Sequence, residues 1–326
     1  MRTTILSLAT LLVLATGTIG LAAVPTAPTA QDLRAQAVRL RTPVATYTDL
    51  SPDDAADADL SILAARMSDG LPPQPSDAAN IGPGSPILTT IPGEGTFICT
   101  ANFVYKSGSQ YYLGAAGHCF LPEGKKATHG SGADYNAAGV VTQVCVSTCW
   151  FGGELTGLLG DFRTLGSVAY ARQTGPSGDI GNDFGVVAIP SSLNSRIRPN
   201  MPMWDGPTSY NSNEGTGNVL VHYGNGIDAG TFVATKGRAG TSLSDGVFNS
   251  WQGNLEINGG DSGSPVLLTA TGGTDVIRGD AALGIVTHGL ITGAVPLAWG
   301  TTIGQCILMA QEANLSLTVV MEGATI

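Results

Sequence analysis

Apolar residues along most of this chain come in short runs, cut every few positions by glycine- and serine-rich polar breaks. Runs at 96–105 and 111–116, joined by the turn Lys106-Ser-Gly-Ser-Gln110, predict a hairpin of strands. Further strand-like runs fall at 139–146, 166–171, 183–189, 219–222, 230–234, 283–288 and 294–299. Many short strands between Gly- and Ser-rich turns argue for an antiparallel sandwich or a pair of barrels. The pattern alone does not choose between the two. Near the end the period changes: Ile303, Cys306, Ile307 and Ala310 stand at helical spacing and predict a helix over 302–313.

The front of the chain patterns differently. Residues 5–14 are apolar apart from Ser7 and Thr10, behind the positive charge of Arg2, and Ala22-Ala23 or Thr29-Ala30 offer small residues for cleavage. Residues 1–30 therefore read as an export signal; a membrane anchor is the alternative, for which the stretch is short and broken. Residues 31–90 do not read as part of a β domain. Ser51-Pro52-Asp53-Asp54 has the form of a helix start, with a capping serine, proline at the first position and acids in the first turn. Leu60, Leu63, Ala64 and Met67 form a weak stripe, Gly70 ends it, and prolines from Pro72 to Pro92 punctuate a linker. The segment is expected to be a pro-segment or an N-terminal extension, followed by the main domain over 91–326.

Composition narrows the function. The chain has 326 residues, ample for a sizeable core. Its 45 glycines are about twice the ordinary share, which favours turns and short strands. Fifteen basic against 25 acidic residues leave a net charge of −10 and no basic stripe. Nucleic acid is not expected as a partner.

Three stretches carry candidate chemistry. Gly259-Gly260-Asp261-Ser262-Gly263-Ser264-Pro265 flanks a serine with glycines, which let a tight turn aim N–H groups at one point beside a nucleophile. On its own this is also common turn chemistry. Leu113-Gly-Ala-Ala-Gly-His118-Cys119 holds one of only four histidines. Gly181-Asn182-Asp183 heads the apolar run 184–189, with Asp161 and Asp179 as nearby competitors. Histidine, aspartate and serine are the three parts of a nucleophilic triad. The α/β-hydrolase elbow fits poorly, because Ser264 stands where its last glycine belongs and no strand–helix alternation surrounds the serine.

These stretches resemble the chymotrypsin-like serine proteases, and the bacterial branch more than the animal one. Ala115-Ala116-Gly117-His118-Cys119 is similar to that family's histidine motif, and Gly260-Asp261-Ser262-Gly263-Ser264-Pro265 to its serine motif. Lys236-Gly237-Arg238-Ala239-Gly240-Thr241 resembles a segment that precedes the serine in bacterial members. Gly284-Ile285-Val286-Thr287-His288-Gly289 resembles the strand lining the substrate cleft. The resemblance implies an all-β fold of two six-stranded antiparallel barrels with the active site between them, split near 200–215; the helix expected from the spacing at 302–313 would then be C-terminal to the second barrel. It implies that Ser262 is the nucleophile, His118 the general base and then acid, and Asp183 the residue that holds the imidazole. Gly260 and Ser262 N–H groups would stabilise the oxyanion. Asp261 is expected to be buried; with no Ile-Val-Gly-Gly in the chain, its partner is an internal arginine or N–H groups.

The resemblance also pairs Cys99 with Cys119. Cys145 and Cys149, three residues apart, suit a small closed loop, and Cys306 is left over as a buried thiol. Thr287, His288 and Gly289 are expected to bind substrate as an added strand. Glu256 stands six residues before Ser262, where trypsin-like relatives place the base of the primary pocket. An acid there implies a preference for arginine or lysine, unless its longer side chain fills or leaves the pocket. The stretch 120–180 looks longer than a compact relative needs and reads as a surface loop. The chain is thus expected to be a secreted serine endopeptidase made as a precursor, a monomer acting on protein or peptide, without cofactor or metal and off the membrane once its signal is removed. The alternatives are a catalytically silent relative that binds proteins through the same cleft, and a β-sandwich adhesin with chance motifs.

Overall fold

The computed structural model describes residues 30–44, 47–49, 80–123, 139–151, 158–173, 180–226, 236–243, 248–269, 279–290 and 296–326. The expected signal, the helix at 51–70, the strand at 230–234, Asp179 and most of the proline linker lie outside them. The N-terminal segment contributes a short helix α1 (Ala30–Ala35) and strands β1 (Val38–Arg39), β2 (Thr42–Pro43) and β3 (Tyr47–Asp49). The next part of the chain carries β4 (Pro86–Ile91), β5 (Gly95–Thr100), β6 (Val104–Ser107), β7 (Gln110–Ala115), β8 (Val141–Phe151), β9 (Leu158–Thr164), β10 (Val168–Gln173) and β11 (Asp183–Ala188). After β12 (Ser209–Tyr210) come β13 (Val219–Tyr223), β14 (Gly237–Leu243), β15 (Ser250–Asn254), β16 (Pro265–Thr269), β17 (Gly279–Leu290) and β18 (Leu297–Thr302), then α2 (Ile303–Glu312) and β19 (Thr318–Val319).

Two closed antiparallel barrels result. In the first, β4 pairs with β5, β6 with β7, β7 with β11, β11 with β10, β9 with β8, and β8 with β4. Since β5 runs on into β6 and β9 into β10, each pair is one bent strand, and six strands close the ring. The single run expected over 96–105 is in fact bent at 101–103, so that one strand serves two faces of the barrel. In the second barrel β13, β14, β15, β18, β17 and β16 pair in that cyclic order. Closure leaves few edge N–H and C=O groups unpaired.

Alternation along the strands fills each barrel. Ile87, Leu113, Val144 and Val187 belong to the first core, and Leu220, Trp251, Val266 and Leu283 to the second. A third cluster joins them: Phe103, Tyr105 and Phe184 from one barrel meet Val221, Tyr223 and Ile285 from the other, under Ile303, Cys306 and Met309 of α2. The Thr302 hydroxyl accepts from the Gln305 N–H at the start of that helix, the usual work of a capping residue. Burying each large side chain contributes about 1.5–3 kcal/mol, so the helix is held by its apolar stripe rather than by propensity.

Three expectations are corrected here. Residues 31–49 do join the β structure: β1 extends the second barrel at β17, β2 pairs with β5, and β3 pairs in parallel with β9. The first barrel begins at Pro86, inside the expected linker; proline is tolerated there because the first residue of a strand needs no ladder N–H. The stretch 120–180 is not one surface loop: the runs expected at 139–146 and 166–171 are β8 and β10, and β9, which was not expected, lies between them. The sequence pattern hid β9 because Gly160, Asp161 and Arg163 interrupt its apolar run; Asp161 is buried in a 2.9 Å ion pair with Arg163.

Candidate active site between the barrels

His118 sits in a 3-10 turn (Gly117–Cys119) at the end of β7, and Asp183 heads β11, which is the neighbour of β7 in the sheet. Both are fixed by strands of one barrel, while Ser262 comes from the loop before β16 in the other. All three are buried. The His118 Nδ1 lies 2.6 Å from Asp183 Oδ2, and its Nε2 lies 2.7 Å from Ser262 Oγ. A carboxylate only accepts, so Nδ1 carries the proton and Nε2 is left to accept from the serine hydroxyl. Asp183 also takes the His118 N–H (2.9 Å) and the Gln173 amide (3.1 Å), and its own N–H donates to Thr301 Oγ1 (3.1 Å). Burial acts to raise the Asp183 pKa, but the attraction and hydrogen bonds of His118 outweigh it, and the carboxyl titrates below its usual value.

The serine loop is held from both sides. Gly260 has φ +101° and Gly263 φ +91°, conformations that side chains rarely adopt. At Gly263 a Cβ would also fall 2.4 Å from the Thr100 carbonyl of the first barrel. The Ser262 carbonyl accepts from Thr100 N–H at 2.9 Å, and the Gly263 N–H donates to Val286 O at 2.7 Å. Asp261 is fully buried, with Arg238 at 2.8 and 3.2 Å and the N–H groups of Gly226 and Asn258 at 2.7 Å. Both kinds of partner expected for it are therefore present. The Gly260 N–H donates to a carbonyl oxygen, that of Leu40, and the Leu40 N–H donates to Ser262 Oγ at 3.0 Å. A carbonyl thus lies against the N–H of the glycine two residues before the serine, the place an oxyanion would take.

Of the other expected residues, Thr287, His288 and Gly289 lie on β17 beside the serine: the Thr287 carbonyl oxygen is 3.4 Å from Ser262 Oγ, whose single proton is directed to His118. His288 stacks edge-on to His118 at 6.0 Å, and its buried Nε2 has no hydrogen-bond partner among the described residues. Burial lowers its pKa to about 3 despite Asp183 nearby, so the ring is neutral. Glu256 is corrected. Its side chain is exposed, and only its carbonyl turns inward, to Arg238 and His222 at 3.1 Å each. It therefore does not form a charged pocket floor.

Cys99–Cys119 and Cys145–Cys149 are bonded, and Cys306 is a buried free thiol. Cys99, Cys119 and His118 are grouped closely enough to hold an ion, but both sulfurs are committed to the disulfide. Sequence reading missed Gln173, Thr301 and Thr100, whose types carry no signal. Arg238 was visible only as part of the Lys236-Gly237-Arg238 motif, and Leu40 not at all.

No family model matches the chain, and no curated protein matches it. Solved structures do. Thermobifida fusca protease A is 19% identical over 74% of this chain and 98% of its own, with a TM-score of 0.40. A glutamic acid specific serine protease, described as using a histidine triad in substrate binding, is 18% identical over 74% of this chain and all of its own, at 0.43. Cellulomonas bogoriensis chymotrypsin is 16% identical over 74% and 98%, at 0.41. At such identities and scores the function rests on the chain's own residues.

Proposed function

We propose that the chain is a secreted serine endopeptidase, made as a precursor, that hydrolyses peptide bonds through a covalent acyl-enzyme. The observation that carries this is the unbroken hydrogen-bonded line Asp183–His118–Ser262, ending where a carbonyl meets the Gly260 N–H. Ser262 Oγ attacks the scissile carbonyl carbon while His118 Nε2 takes its proton. Asp183 holds the imidazole in the tautomer with the proton on Nδ1 and stabilises the imidazolium that forms. The Gly260 N–H meets the charge on the tetrahedral oxygen; one such donor is worth about 3 kcal/mol of barrier. His118 then gives its proton to the leaving amine, and water releases the acyl group by the reverse roles. Arg238 acts through Asp261, neutralising the buried carboxylate that shapes the Gly260 turn. The export signal at 1–30 and the two disulfides support secretion. The silent binding module gains nothing from the geometry, since every triad partner is in bonding order.

The test is labelling by an organophosphonate serine probe, followed over time on the chain and on Ser262→Ala and His118→Ala. Stoichiometric adduct on Ser262, absent from both variants, is the expected result. A folded chain that refuses the probe even once the segment carrying Leu40 has left the serine would sink the enzyme reading.

A further inference from the structure

Residues 36–44 thread the cleft between the barrels as a bound peptide does. Val38 and Arg39 pair antiparallel with Gly289 and His288 of β17. Leu40 then crosses the serine: its carbonyl accepts the Gly260 N–H and its N–H reaches Ser262 Oγ. Beyond it Thr42 and Pro43 pair with Ile98 and Phe97 of the first barrel, and the Val44 N–H donates to the Thr96 carbonyl at 2.8 Å. The segment is thus held by main-chain bonds on both sides of one peptide bond, Leu40–Arg41, with the carbonyl of that bond at the oxyanion position.

The side chains say what the flanking subsites accept. Leu40 is fully buried in the apolar cluster that includes Leu220, Leu255, Ile257 and Val286. Ile257 leans over Gly289, where a Cβ would fall 1.7 Å from its Cδ1, so this side chain walls the pocket against β17. The carboxylate of neighbouring Glu256 points to solvent. On the far side of the bond, Arg41 donates to the carbonyls of His118 and Leu121 and to Glu123, each at 2.8 Å, and lies 4.3 Å over the Phe97 ring. Arg39 reaches the same Glu123 at 3.1 Å. Glu123 therefore clamps the residues on either side of Leu40.

We infer that the Leu40–Arg41 bond is this site's own substrate in cis, and that Ile257 and its neighbours select an aliphatic side chain of leucine size before the cut. This rests on the proteolytic reading of the site. Ser262 Oγ bonds to the Leu40 carbonyl carbon as His118 takes the hydroxyl proton. The carbon–nitrogen bond breaks and His118 passes that proton to the Arg41 nitrogen. Water then hydrolyses the Leu40 ester, leaving a carboxylate at Leu40 and a new N-terminus at Arg41. Until the fragments leave, the segment denies the cleft to other substrates.

The experiment maps the ends of the full chain by mass spectrometry and, in parallel, follows probe labelling of Ser262. Wild type should yield a fragment ending in Leu40 and a chain beginning at Arg41, and Ser262→Ala should yield neither. Leu40→Met should keep the cut, and Leu40→Asp should lose it at least tenfold while taking the probe faster, because its cleft is less well filled. Synthetic peptides spanning 36–44 with leucine, arginine or glutamate at position 40 should be cut with kcat/KM at least tenfold higher for leucine. Labelling of Ser262 without cleavage at 40–41, or a preference for arginine, overturns this inference and leaves the protease standing. If Leu40→Asp is folded and refuses the probe, the protease reading fails and takes this inference with it.

Discussion

At Asp183, burial and pairing pull in opposite directions. Removing a carboxylate from water raises its pKa, yet His118 brings it below the usual value. A folded-state pKa below the unfolded one contributes stability above the unfolded carboxylate range, lost as pH falls through the folded value. Asparagine at 183 would present an N–H to Nδ1 and hold the wrong tautomer. Asp183→Asn should therefore cut kcat by about 10^4-fold with little change in KM, read from peptide hydrolysis at neutral pH. Two other buried histidines bear on stability. His222 Nε2 faces the Glu256 carbonyl, which only accepts, so Nδ1 is unprotonated and faces Ser264 Oγ at 3.3 Å. Burial, then Arg238, lowers its pKa to about 3, and burial does the same for His288. Between about 6.5 and 3 the unfolded chain binds protons at both rings that the native chain does not. Stability should thus decline as pH falls from 6.5 towards 3, each ring adding about 1.4 kcal/mol per pH unit at most. Urea midpoints across that range, compared with His222→Phe, measure it; a flat profile would contradict the neutral rings.

At the scale of elements, the serine loop and the histidine turn are each tied to something other than their own strand. Arg238 of β14 is the cation for Asp261, and both are buried. Arg238→Met should leave that carboxylate with N–H partners alone and cost about 3–5 kcal/mol in urea denaturation, with kcat falling as the Gly260 turn loosens. Cys99 on β5 and Cys119 after β7 brace the turn holding His118. Replacing both with serine should lower stability by about 2–4 kcal/mol, measured by the same denaturation, and should reduce kcat more than it raises KM. The elements themselves were largely legible: the runs at 111–116, 183–189 and 219–222 match β7, β11 and β13 within a residue or two. They read clearly because each alternates or runs apolar between glycines. Strand β9 did not, because the buried Asp161 and its half-buried partner Arg163 look polar in sequence, and the break in 96–105 did not, because a bend inside a barrel strand needs no turn residue.

Over the whole molecule, the cleft is shaped by both barrels and filled by a segment some 220 residues before the serine. Glu123 ties that segment down through Arg39 and Arg41. Glu123→Ala should speed hydrogen exchange at the Leu40 and Val44 amides, which bond Ser262 Oγ and the Thr96 carbonyl, without changing protection in β13 or β16. Unchanged exchange at 40 and 44 would show that main-chain pairing alone holds the segment.

Residue types and local order were enough to determine the β class, the C-terminal helix and the three groups of the candidate triad. Those signals are local: glycines flank a nucleophile because the turn demands it, and apolar runs mark strands because one face must be buried. What occupies the cleft and what its pocket accepts were decided only by tertiary structure. Glu256 is exposed and Ile257 buried in the irregular stretch after β15, and no local pattern says which of the two faces the pocket. Leu40, in a stretch with no recognisable motif, reaches Ser262 only because pairing with β17 on one side and β5 on the other leaves the chain a single path across the serine.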